Sequence, residues 1–264
     1  MAIEFVEQHV AAFKGIYPNP PTFDEKAKEG GNPKSWFEGF TGPLNGFRCQ
    51  MLETETNRAK LLRMSADKSR TIHELCVNIL AWGGMHRGNR DRLLASDAKP
   101  WIDICRQIWS GSLDRRRAYE KFASVRASEE KAMLGLGPAY FTKLIYFLMP
   151  AERGQGFILD QWAGVSVNLM TGRNVVKMDE SVTWKLKGNK LARAVASRVS
   201  DVNTGADYEN FCNALESLSD RLGPGWTPGQ VEFALMSKGG KNPEKWRAHV
   251  VAERLRTLPP VANV

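Results

Sequence analysis

Apolar positions recur at helical spacing along most of the chain. Within Asp67–Trp82, residues Ile72, Leu75, Cys76, Ile79 and Leu80 fall at i, i+3, i+4 intervals, which predicts a helix with one buried face. Ala98–Trp109 repeats the pattern with Trp101, Ile104, Cys105 and Ile108, and Tyr208–Leu222 does so with Phe211, Cys212, Leu215, Leu218 and Leu222. Leu113–Ala123 reads as a short basic helix carrying Arg115, Arg116 and Arg117. Thr227–Met236 reads as another, with Pro228 in its first turn, where a missing N–H costs nothing. Strict alternation is almost absent, and Val175–Lys187 is the one β-like or irregular stretch. Residues 1–47 have a short helical start near Glu4–Phe13 and are otherwise rich in Pro, Gly and aromatics. The pattern predicts a mostly α protein: an irregular N-terminal arm (1–47) packed on a helical body (48–264) of two lobes, with a cleft as the natural ligand site.

One stretch departs from plain helical periodicity. Ser128–Met133 reads as a short helix with a serine cap and glutamates in its first turn, stopping at Gly135. Gly135-Leu136-Gly137 permits a tight turn in which Leu136 packs inward, and Pro138 suits the start of the next helix. Free amides at the positive end of a helix dipole bind a phosphate without reading a base. After the second helix come a polar break, Pro150–Gly156, then Phe157-Ile158-Leu159, then Asp160 at the N-cap position of an apolar-periodic helix over Gln161–Met170.

Bulk properties narrow the class. The 264 residues carry a net charge of +8 with a pI near 9.4, which favours a polyanionic partner. No apolar run is long enough to cross a bilayer, and MAIEFVEQHV lacks the pattern of a secretory signal, so a cytoplasmic protein is expected. Cys49, Cys76, Cys105 and Cys212 are scattered and form no C-x-x-C pair. They are expected to be reduced and buried, with no structural metal, no iron–sulfur cluster and no cofactor.

The order hairpin, helix, short loop, Ile-Leu-Asp, helix resembles the helix-hairpin-helix DNA glycosylase superfamily. Gly135-Leu-Gly-Pro-Ala-Tyr-Phe-Thr-Lys143 and Ile158-Leu-Asp160 are most similar to its branch of 8-oxoguanine-glycosylase-like (OGG-fold) proteins. The likeness is specific over Ser128–Met170 and looser over Tyr208–Met236. It implies a two-lobed helical glycosylase fold, with the helix-hairpin-helix at 128–148 and the catalytic-aspartate helix at 160–170. It further implies a monomer that binds double-stranded DNA, flips out a modified base and leaves an abasic site, with Gly135, Leu136, Gly137, Pro138 and Ala139 clipping the DNA backbone. Asp160 takes the role of the carboxylate that stabilises positive charge on the sugar.

Lys143 is the candidate amine for a Schiff base and an abasic-site lyase step, which requires a neutral amine. Many members place that lysine two residues after the second hairpin glycine, where this chain has Ala139. Lys143 stands one turn further on, on the same face, and its alternative is a snorkelling surface lysine. For the base pocket, the stretch Ala81–Asn89 offers Trp82, Met85, His86 and Asn89, or else is a core tryptophan followed by a surface loop. Gln161 and Trp162 are candidates by position beside Asp160. Backbone-contact candidates are Arg87, Arg90 and Arg92, Arg115–Arg117, and Lys185, Lys187, Lys190 and Arg193. The substrate is either an oxidised purine such as 8-oxoguanine or a bulky hypermodified cytosine of phage DNA, which a roomy Trp82–Asn89 loop would admit in a defence role. The rivals are a non-enzymatic DNA-binding protein that uses the hairpin as a phosphate clip, and a helical scaffold with no nucleic-acid role.

Overall fold

The computed structural model of the chain describes residues 3–22, 30–43, 47, 49–128, 133–150, 154–187, 190–238 and 242–257, with the side chains of 184–194 left aside. Residues 129–132 of the expected helix Ser128–Met133 and the side chains of Lys185, Lys187, Lys190 and Arg193 therefore lie outside the described residues. Among those described, the protein is mostly α: twelve helices and one two-stranded antiparallel sheet. None of these helices is long and apolar enough to cross a membrane. The chain divides into two compact units. One comprises Met1–Pro21, Asp160–Ser200 and Asn213–Val264, and the other comprises Thr22–Leu159 and Asp201–Cys212.

The second of these units is built around α8 (Pro138–Leu148), which packs against α3 (Arg58–Ala66), α4 (Ile72–Trp82), α6 (Lys99–Trp109) and α7 (Arg115–Ala127). Every residue from Phe141 to Leu148 is buried, because neighbours surround the helix on all sides. Phe141 stacks on Phe122 at 5.1 Å and meets Tyr119 edge-on at 4.9 Å. The helix expected over Asp67–Trp82 begins at Ile72. Thr71 caps it, and Glu74 returns the bond to the Thr71 N–H in a capping box. Asp67 instead closes α3.

Two further helices lie where loops were expected. Residues 33–38 form α2 (Pro33–Glu38), capped by the Asn32 side chain with Pro33 at its start. The stretch after Trp82 turns within four residues into α5 (Arg87–Ala95), whose buried stripe is Arg90, Leu93 and Leu94. Arg90, a backbone-contact candidate, is 3% exposed and donates to the carbonyls of Trp36 and Gly39 at 2.7 and 2.8 Å. Arg115 is also committed inside the protein, through bonds to Glu209 and to the Gln155 carbonyl. Both are corrected from DNA-contact candidates to internal ties.

The other unit contains α1 (Glu7–Ile16), α9 (Gln161–Thr171), the hairpin β1 (Met178–Lys187)–β2 (Lys190–Val199), α11 (Pro228–Met236) and α12 (Lys245–Thr257). Its register runs from Met178↔Val199 to Lys187↔Lys190, so the β-like stretch continues into a second strand that periodicity did not reveal. Phe13 and Trp246 meet edge-on at 5.0 Å in its core. Trp246 Nε1 donates to the Ser166 hydroxyl, which donates to the Leu235 carbonyl, joining α12, α9 and α11. Residues of α10 (Gly205–Leu222) belong to both units.

Candidate active site

The hairpin turn is fixed by glycine chemistry. Gly135 has φ +86, and a Cβ there would lie 2.5 Å from the Asn89 carbonyl oxygen and 2.8 Å from its Cα. Glycine is thus required twice over, by conformation and by the close approach of α5. Leu136 is fully buried while Leu134 is 43% exposed. Gly137 caps α8 with its carbonyl, which accepts from Tyr140 and Phe141 N–H at 2.9 and 3.0 Å. Among the described residues, the N–H groups of Gly137 and Ala139 have no backbone acceptor, which leaves donors at the positive end of the α8 dipole.

Lys143 is 6% exposed. Its ammonium donates to the Ala139 carbonyl at 2.6 Å and lies 5.2 Å from the centre of the Tyr140 ring. The aliphatic chain runs against Gly83 at the end of α4. Lys143 is therefore drawn back one turn along α8, not extended to solvent as a snorkelling lysine would be.

The segment Phe157–Leu159 is buried and hydrogen-bonded inside the same unit as α8. The Tyr208 hydroxyl donates to the Phe157 carbonyl at 2.7 Å and accepts from its N–H at 2.9 Å. The Thr142 hydroxyl donates to the Pro138 carbonyl and accepts the Leu159 N–H at 3.0 Å. Thr142 thus ties Leu159 to the first turn of α8 within this unit.

Asp160 itself caps α9. Its Oδ1 accepts from the N–H groups of Trp162 and Ala163, each at 2.8 Å. Among the described residues Oδ2 accepts no hydrogen bond, so one carboxylate oxygen is anchored and the other is available to an incoming charge. Beside it, within the same unit, Arg247 of α12 lies flat over the Trp162 ring at 4.2 Å and donates to the carbonyls of Met236 and Ser237 at the end of α11. Burial pulls the Arg247 guanidinium below its ordinary range, against the opposing pull of Asp160, Glu244 and Tyr17. Sequence reasoning missed Arg247. It sits in a charged helix whose only buried residues are Trp246 and Val250, too narrow a stripe to stand out. Gln161 is exposed and, with its amide turned, accepts from Trp162 Nε1 and donates to the Ser197 carbonyl.

The remaining pocket candidates divide by burial. Trp82 is half-buried, edge-on to Phe147 at 5.0 Å with the Arg58 guanidinium 5.8 Å from its ring. Met85 is 3% exposed, so its side chain faces the core instead of an open loop, and its carbonyl accepts from Trp36 Nε1 at 2.9 Å. His86 is exposed and caps α5 through Nδ1, while Asn89 lies in the first turn of that helix. Lys143 with Gly83, and Gly135 with Asn89, are the pairs that the fold brings together around α8.

The family described as 8-oxoguanine DNA glycosylase OGG-like protein matches the chain over residues 14–236. No curated protein and no solved structure matches it.

Proposed function

The chain belongs to the OGG-like protein family, and from that premise we propose that it excises 8-oxoguanine from duplex DNA, with Asp160 as the catalytic carboxylate and Lys143 as the amine that captures the sugar. The observation that carries the lysine assignment is the 2.6 Å bond from Lys143 Nζ to the Ala139 carbonyl. Ala139 occupies the position at which the resembled pattern carries its lysine, and the side chain from one turn later reaches back to that residue.

The chemistry follows from these groups. The bond between the base and C1′ breaks with positive charge building on the sugar, and the free Oδ2 of Asp160 stabilises that charge. Lys143 gives up a proton to solvent, its neutral amine forms a bond to C1′ as the bond to the base breaks, and the proton shed by the new amine balances the one taken up by the departing base. The C1′–O4′ bond then breaks, O4′ taking up a proton from solvent, and the opened sugar is left as an iminium. Loss of a C2′ proton then expels the 3′ phosphate and nicks the strand. The donors of Gly137 and Ala139 bind a phosphate of the same DNA, independent of sequence. An oxidised purine is proposed over a bulky cytosine because Trp82–Asn89 is not the open loop that the bulkier base was expected to need: Met85 is buried and α5 begins at Arg87.

Sodium borohydride reduces such an imine to a stable amine. Wild-type protein with an 8-oxoguanine duplex and borohydride is expected to yield a covalent protein–DNA adduct, and Lys143→Gln to yield none while still binding the duplex. An adduct at the wild-type level from Lys143→Gln would overturn the lysine assignment. Free base without any adduct from the wild type would leave a glycosylase that uses water as its nucleophile.

A further inference from the structure

We infer that Gly83, at the end of α4, is a positioning residue for Lys143: its missing side chain leaves the space along which the lysine lies back toward Ala139. This rests on the reading of Lys143 as the reacting amine.

The backbone gives no reason for glycine at this position. Gly83 has φ −66 and ψ 1, which any residue adopts, and its N–H is bonded to the Ile79 carbonyl at 2.9 Å. The reason lies in what surrounds it. A Cβ on Gly83 would stand 2.5 Å from Lys143 Cδ and 2.9 Å from Cε, closer than carbon atoms approach, and 3.2 Å from the Ile79 carbonyl oxygen. The two clashing atoms belong to the flexible part of a side chain. A methyl group at residue 83 is therefore accommodated by moving the lysine, with the helix left in place. Gly135 is the contrast: a Cβ there meets the Asn89 backbone and φ is +86, so substitution must disturb the turn itself. Lys143 cannot make that move and keep its present contacts, because its ammonium is held by the Ala139 carbonyl and lies near the Tyr140 ring. Displacing Cδ and Cε carries Nζ off the Ala139 position, and a misplaced reacting group loses rate steeply.

The test uses the full chain and a duplex with a preformed abasic site, so that base release is not needed. The neutral Lys143 amine adds to the C1′ aldehyde, water leaves to give an imine, and borohydride supplies the hydride that fixes it. Gly83→Ala is expected to keep the wild-type melting temperature and affinity for the duplex while trapping at least roughly tenfold more slowly, in line with the cost of misplacing a reacting group. In that background Ala139→Lys supplies an amine that need not pass residue 83, and it is expected to restore trapping. Trapping by Gly83→Ala at the wild-type rate, with Lys143→Gln inactive, overturns the role of Gly83 alone. Loss of trapping that Ala139→Lys does not restore also overturns it, since Gly83 then acts through the fold. Absence of trapping by the wild type overturns the lysine reading and this inference together.

Discussion

Arg90 and Arg116 look alike in the sequence, each an arginine on a basic helix, and differ in what their donors meet. Arg90 spends its guanidinium on the Trp36 and Gly39 carbonyls and on Asp91, tying α5 to the end of α2. Arg116 is exposed on α7. A phosphate contact releases counterions, so losing one lowers the salt dependence of DNA binding by about 0.9 per contact. Arg116→Ala is expected to flatten the plot of log affinity against log salt by about that amount with stability unchanged. Arg90→Ala is expected to leave the slope alone and to cost about 1–3 kcal/mol in urea unfolding, because two partly buried hydrogen bonds from a charged donor are lost. A lowered slope for Arg90→Ala would contradict the assignment of its donors. The difference had a trace in the sequence: Arg90, Leu93 and Leu94 share i, i+3, i+4 spacing, the stripe that α5 buries. What the stripe would pack against was not visible, because the Trp36 and Gly39 carbonyls come from about fifty residues away.

Helices with a wide apolar face were legible as elements, and their ends were less so. In α4 the start is set by Thr71 and Glu74, and Glu74 does more than cap. It is 2% exposed and accepts the N–H groups of Gln50 and Met51 at 3.1 and 2.9 Å. Burial alone would raise its pKa, but the N–H groups of Met51, Thr71 and Gln50 hold it below the ordinary value. A carboxyl depressed in the folded state contributes stability above its unfolded value, about 4.3, and that contribution is lost as pH falls through the folded value. Glu74→Gln is expected to cost about 1–3 kcal/mol at neutral pH, with the gap to wild type narrowing below about pH 4. Urea unfolding from pH 7 to pH 3 checks this, and a constant gap would contradict it. The elements that periodicity missed share a cause. β2 is rich in Lys, Arg and Ala, which suit a helix as well as a strand, and it is fixed by pairing with β1. The glycines at 83, 84 and 88 disguised the approach to α5 as a loop.

At the scale of the whole molecule, the mostly helical class was readable from the chain, because the spacing of apolar residues dictates it. The surroundings of Asp160 were not. Arg247 comes from α12, beyond the 14–236 span of the family match, and reaches Trp162 through tertiary packing alone. The reading of the molecule as a glycosylase nevertheless turns on one carboxylate. Asparagine caps a helix about as well as aspartate, so Asp160→Asn keeps the Trp162 and Ala163 bonds and removes the charge. The direct measurement is single-turnover release of free base from a duplex carrying one 8-oxoguanine, by wild-type protein and by Asp160→Asn. The wild type is expected to release the base, and the variant to bind the duplex equally well but to release base roughly 10²–10³-fold more slowly, the loss typical of removing one preorganised charge-stabilising group. Excision by Asp160→Asn within a few-fold of wild type, or tight binding by the wild type with no base released, would contradict the account.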